Sequence, residues 1–158
     1  MTPLKNHTSL KGEDKLERAD NSLPVGSGLS APRTAAVILA AGFSSRMGTF
    51  KPLLPLGPER VIQRIIRTHR AAGVDRIVAV VGHGSDRLLP LLTHHRVDWV
   101  ANPRPEDGMF SSVRLGVARL GHSPPAFFVQ PTDVPLVRST TLVHLMRQRL
   151  DVGAGIVI

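Results

Sequence analysis

From residue 34 onward the chain alternates short apolar runs with longer amphipathic ones, and this pattern restricts its fold more than any other feature. "AAVILAA" (35–41), "DRIVAVVG" (75–82), "RVDWVAN" (96–102), "AFFVQ" (126–130) and "AGIVI" (154–158) have the length and apolar content of strands. Between them, "ERVIQRIIRTHRAAG" (59–73), "SDRLLPLLTHH" (85–95), "MFSSVRLGVARLG" (109–121) and "RSTTLVHLMRQRL" (138–150) read as helices, with Pro90 an awkward member of the second. In the first of these, Val61, Ile62, Ile65 and Ile66 share one face. Arg60, Arg64 and Arg67 share another, and Gly73 stands where a C-terminal cap is needed. Strands apolar on both faces that take turns with helices predict a parallel sheet covered by helices.

Residues 1–33 are polar, mixed in charge and punctuated by "PVGSG" and "SAP", with no apolar periodicity, and are expected to be a disordered leader. The remainder, 34–158, is expected to be one domain, since 158 residues suffice for a single real core and not for two. Twenty Lys and Arg against twelve Asp and Glu give a formal charge of +8, which calls for an anionic partner. The absence of cysteine excludes disulfides, thiolate zinc sites and a cysteine nucleophile, and fits a reducing cytosol. No apolar run approaches the roughly 20 residues of a membrane helix, so a cytoplasmic protein without a membrane partner is expected. The arginine stripe of the first helix is expected to be a solvated outer face rather than a nucleic-acid surface, because no aromatic residues accompany it. No two histidines have metal-ligand spacing, and no Gly-x-Ser-x-Gly elbow occurs, so neither zinc nor a serine triad is assigned.

In an open parallel sheet, ligands bind beyond the carboxyl ends of the strands. The stretch directly after the first strand, "AAGFSSRMGTFK" (40–51), is therefore placed for function, and its composition fits an anion. Gly42 and Gly48 let backbone amides approach a phosphate, Ser44 and Ser45 add hydroxyl donors, and Arg46 and Lys51 supply cations. It is not a Walker A loop, because Gly48 is followed by Thr49 and Lys51 by Pro52. Nor is it a dinucleotide fingerprint, because Gly42 is followed by Phe43 and Ser44.

"LAAGFSSRMGTFKPLLPLG" (39–57) resembles the nucleotide-binding signature of the MobA-like nucleotidyltransferases, and within them the molybdenum cofactor cytidylyltransferase branch. "VAVVGH" (78–83), "ANPRPEDGMFSSVRLGV" (101–117) and "VQPTDVPLV" (129–137) follow in the family's order. The resemblance implies a Rossmann-like three-layer α/β/α sandwich of the GT-A type with a mostly parallel sheet. It also implies transfer of a nucleoside monophosphate, CMP from CTP, to the phosphate of molybdopterin cofactor, with release of pyrophosphate and dependence on Mg²⁺. Sugar-phosphate, phosphocholine and guanylyl transfer are the nearest alternatives.

The resemblance assigns the parts as follows. Arg46 and Lys51 would hold the triphosphate and stabilise the departing pyrophosphate, and Asp133 in its "PxDxP" setting would be the metal carboxylate. Leu39, Ala40, Ala41 and Gly42 would lie near the base, with Ser44 and Ser45 in the phosphate cradle. Asn102, Gly108, Met109 and Ser112 would contact the nucleoside. "LAAG" rather than "LAGG" leans towards cytosine over guanine within the family. Glu106 and Asp107 are expected to be solvated loop charges, and His83 to sit in a surface turn.

The chain ends at Ile158 inside an apolar stretch, where members of the family continue with a "GHP"-type segment and a late group completing the magnesium site. It is therefore expected to be a truncation or fragment in which nucleotide binding is retained more securely than turnover. A binding module without transfer and a basic nucleic-acid-binding protein are the competing classes. The oligomeric state is not legible in the sequence.

Overall fold

The computed structural model describes residues 34–42, 50–121 and 125–152. The expected leader at 1–33 and the expected strand at 154–158 lie outside these residues.

Four parallel strands form the sheet: β1 (Thr34–Ala40), β4 (Arg76–Val81), β5 (Asp98–Ala101) and β6 (Ala126–Pro131), in the order β5-β4-β1-β6. β1 is central and wholly buried, paired from Ala35↔Arg76 to Ala40↔Val81 on one side and from Thr34↔Ala126 to Leu39↔Pro131 on the other. Its side chains alternate between two cores, as the two-residue period of a strand requires. Ala36, Ile38 and Ala40 pack with Ile77, Ala79 and Val81 of β4 against helix α1 (Val61–Ala71) and against Leu92 of α2 (Leu89–His94). Ala35, Val37 and Leu39 join Val78 and Val80 under α3 (Met109–Leu120), whose Leu120 is buried there. Helix α4 (Ser139–Val152) packs beside α1, so the molecule is a three-layer α/β/α sandwich of the Rossmann-like, GT-A type.

The helices start and stop for local reasons. Gly73, at φ +85°, ends α1 as expected and donates its N–H to Arg70 O at 2.9 Å. Pro90 is accommodated because it falls in the first turn of α2, where its missing N–H has no intrahelical acceptor to lose.

Two expectations are corrected. Glu59 and Arg60 are not helical: they form β3 (Glu59–Arg60), paired in a small antiparallel hairpin with β2 (Pro55–Leu56). The Gly57–Pro58 turn between them outweighs the helical periodicity that follows. The strands are also not all buried on both faces. Phe127 and Val129 of β6 stay 43% and 42% exposed: among the described residues β6 is an edge strand, and α3 packs chiefly on β1, β4 and β5.

His69, in the last turn of α1, is fully buried beside Phe128, and burial pushes its pKa down, partly opposed by its hydrogen bond to Gln130. The unfolded chain therefore takes up this proton more readily than the folded one. The associated stability is present above the unfolded value of 6.5 and is lost as pH falls through the lowered folded value. The thermal unfolding midpoint is expected to drop across that window, and His69→Leu to flatten the dependence. Calorimetric melts at stepped pH check both.

Candidate active site

The carboxyl ends of β1 and β6 and the amino end of α3 meet around a cleft of about 240 Å³. Leu39, Ala41 and Gly42 enter from the end of β1. Lys51 and Pro52 come from the turn that leads towards the hairpin, Pro105 from a short 3-10 turn (Pro105–Asp107), Gly108, Met109 and Ser112 from the start of α3, and Pro131, Thr132 and Asp133 from the end of β6. Three segments distant in sequence and expected to serve one ligand are thus brought together.

The cation has a rigid base. Lys51 opens a short 3-10 turn (Lys51–Leu53), closed by Leu53 N–H to Phe50 O at 3.0 Å and Leu54 N–H to Lys51 O at 3.1 Å. Pro52 is buried, and Phe50 packs against the α1 core with the Arg87 guanidinium 5.9 Å from its ring centre. Arg60 Nη1 donates to Leu53 O at 2.8 Å, tying the turn to the hairpin. Arg67 forms a two-pronged pair with Glu59, at 2.6 and 3.2 Å, which holds the Glu59 carboxyl below its usual range. Two of the three stripe arginines are therefore engaged locally.

The carboxylate is equally well placed. Residues 131–134 form a turn in which Val134 N–H reaches Pro131 O at 3.4 Å, and Thr132 anchors to Leu39 O through its N–H at 3.2 Å and its Oγ at 3.3 Å. Asp133 is exposed between these pinned neighbours and faces the same cleft as Lys51. Among the described residues, no group of three or more His, Asp and Glu side chains could hold a metal. A single carboxylate suits Mg²⁺ when phosphate oxygens and water supply the remaining ligands, so the donor set is compatible with a metal–nucleotide complex.

Of the other predicted contacts, Gly108, at φ +92°, begins α3, and Ser112 is buried at the cleft wall. Two residues do not line the cleft. Ala40 turns into the α1 core. Asn102 is committed internally: its Nδ2 donates to Ser111 Oγ and Ser112 Oγ, both at 2.9 Å, and its Oδ1 accepts from Arg104 N–H at 3.0 Å. It splices the end of β5 to the start of α3, a positioning task indistinguishable in sequence from ligand contact. Ser44, Ser45 and Arg46 lie outside the described residues. Pro52, Pro105, Pro131 and Thr132 were not foreseen, although the last two lie within "PxDxP" beside Asp133.

A parallel-sheet fold with a cation, a carboxylate and a helix start converging at its carboxyl edge is the architecture of a nucleotide-handling α/β protein. The MobA-like NTP transferase domain matches residues 36–158, and the chain belongs to that family. It is 33% identical over 122 residues to the bifunctional protein GlmU of Burkholderia thailandensis, a match covering 76% of this chain and 26% of GlmU. It thus spans about a quarter of the length of this curated relative. Rv0371c of Mycobacterium tuberculosis H37Rv superposes with a TM-score of 0.65 at 29% identity, over 78% of this chain and 61% of that one. Rv0371c in complex with manganese superposes with a TM-score of 0.60 at 26% identity, over 77% and 59%.

Proposed function

We propose that this domain binds an NTP in the cleft beyond β1 and transfers its nucleoside monophosphate to a phosphorylated acceptor, releasing pyrophosphate. The observation that carries this is the convergence of Lys51 and Asp133 on one cleft at the sheet's carboxyl edge, in a chain of the MobA-like NTP transferase family. An acceptor phosphate oxygen would attack the α-phosphorus while the bond from that phosphorus to the bridging oxygen of the β-phosphate breaks. Both partners are anions, so the protein's work is charge neutralisation and alignment. Lys51 would hold the triphosphate and offset the charge gathering on pyrophosphate, and the backbone around Ala41 and Gly42 would lie against the nucleotide. Asp133 would hold a divalent ion, in keeping with the manganese complex of the mycobacterial relative. When bound, that ion would supply further charge neutralisation at the phosphates.

CTP as donor and molybdopterin cofactor as acceptor rest on the motif resemblance. Sugar-phosphate and guanylyl transfer are the alternative readings of the same resemblance. Pyrophosphate release in the presence of Mg²⁺, measured for each NTP against molybdenum cofactor and a set of sugar 1-phosphates, tests the assignment and separates the acceptors. Binding of an NTP without release under any pairing would leave a nucleotide-binding module. Lys51→Ala is expected to weaken NTP binding by about 10–100-fold, the equivalent of losing one hydrogen bond to a charged group. Isothermal titration calorimetry reads this directly, and unchanged affinity would refute the role given to Lys51.

A further inference from the structure

A buried polar pair links α1 to the end of β6. His69 Nε2 and Gln130 Oε1 lie 2.7 Å apart, and Gln130 Nε2 donates to Val134 O at 2.8 Å. Gln130 is 6% exposed and His69 0%, so both were desolvated to make these bonds. Gln130 Oε1 can only accept, so His69 Nε2 carries the proton and, in the neutral ring, Nδ1 carries none. Nδ1 is indeed buried with no partner, and Phe128 tilts against the ring at 5.6 Å. With the ring held and its single donor directed at Oε1, the Gln130 amide has one orientation. Its NH₂ group faces the carbonyl of the residue immediately after Asp133.

Such a pair costs desolvation that an apolar pair would avoid, and one buried nitrogen is left unsatisfied. Packing alone does not account for it, since Leu or Met would fill the same volume. What the pair adds is directional restraint on the turn that presents Asp133. Thr132 fixes that turn to β1 from one side of the aspartate, and Gln130 fixes it to α1 from the other.

We propose that Gln130 and His69 are positioning residues for Asp133, a hydrogen-bonded strut from α1 that holds the Asp133 turn in the geometry required for a metal–nucleotide complex. This rests on the metal role of Asp133 proposed above. Neither residue reaches the cleft itself.

The test uses the full chain. Mn²⁺ is titrated by electron paramagnetic resonance in the presence of α,β-methylene-CTP or its GTP counterpart, whichever the parent chain retains. Hydrogen exchange of the 131–138 backbone is measured beside it. Gln130→Met, of nearly equal shape but without the amide, and His69→Leu are expected to weaken Mn²⁺ binding by about tenfold or more, as loss of supporting hydrogen bonds behind a metal ligand does. Both should also speed exchange at residues 132–134. In turnover assays kcat should fall while the KM for the NTP stays. His69→Gln, which keeps a donor at the Nε2 position, is expected to retain parent behaviour within about twofold, against the tenfold loss on removing the donor. Should an apolar variant fail to fold, Gln130→Asn, one methylene too short to bridge, takes its place with the same expected losses. Mn²⁺ affinity and exchange unchanged in folded Gln130→Met or Gln130→Asn would overturn the strut while leaving Asp133 as ligand. Parent Mn²⁺ affinity in Asp133→Asn would overturn the metal assignment and the strut together.

Discussion

Asp133→Asn is expected to lower metal-dependent pyrophosphate release by at least about 100-fold, comparable with losing one preorganised charge-stabilising group in an active site. Asparagine has nearly the same shape and keeps one oxygen, so the 131–134 turn and its anchors to Leu39 and Gln130 should survive. What disappears is the negative charge that would draw the divalent ion to the phosphates. NTP binding measured in EDTA should change by no more than a few-fold, because Lys51 and the β1 terminus remain and a repulsive carboxylate has left. The diagnostic result is this split: turnover lost, metal-free binding kept. Equal Mg²⁺ responses in parent and variant would refute the carboxylate's role, and loss of metal-free binding would indicate a collapsed turn.

Gly116→Ala should destabilise the fold although it places the best helix former in the middle of α3. A Cβ at this position would lie 2.3 Å from Val37 Cγ1 and 3.0 Å from Val80 Cγ2, where carbon atoms ordinarily approach to about 3.5–4.0 Å. Val37 and Val80 are fully buried and β-branched, so neither can swing aside, and the helix itself must lift from the sheet. Overpacking of this kind costs about 1–3 kcal/mol or more, against a helix-propensity gain of about 1 kcal/mol. Net loss is expected because the overlap exceeds 1 Å in a rigid surround. The thermal midpoint should fall by several degrees, and Gly116→Val should abolish cooperative unfolding. Val37→Ala removes the nearest methyl, so the double variant Val37→Ala/Gly116→Ala should be more stable than the sum of the single changes by about 1 kcal/mol or more. The consequence reaches function, because the same helix carries Gly108, Met109 and Ser112 to the cleft. Gly116→Ala should therefore also weaken NTP binding at temperatures where the chain is folded. Denaturant titration and calorimetry of the three variants separate the two effects.

The alternation of elements was legible because strand and helix periodicities are local: β1, β4, α1 and α3 fall within two residues of the ends expected for them. The hairpin at 55–60 was not, since its strands are too short for a period and depend on a turn and on Arg60 reaching back to Leu53. Most of the cleft's lining was legible as well. Lys51 and Asp133 stand out by charge next to apolar strands, and both line the cleft. Asn102 shows the limit of such inference, because a polar residue beside two serines looks the same whether it faces a ligand or, as here, bonds to those serines within the protein.

By itself, then, the sequence determined the order of strands and helices, the family and the charged residues, Lys51 and Asp133, that line the cleft. These are carried by periodicity, motif order and chemistry within short windows. Tertiary structure alone decided that Lys51, Ser112 and Asp133 share one cleft, that Gly116 lets α3 lie directly on Val37, and that His69 reaches Gln130 across 61 positions of chain. Each is a contact between segments far apart in sequence, set by how two cores pack on opposite faces of one sheet, and a one-dimensional pattern holds no record of which distant side chains that packing will bring face to face.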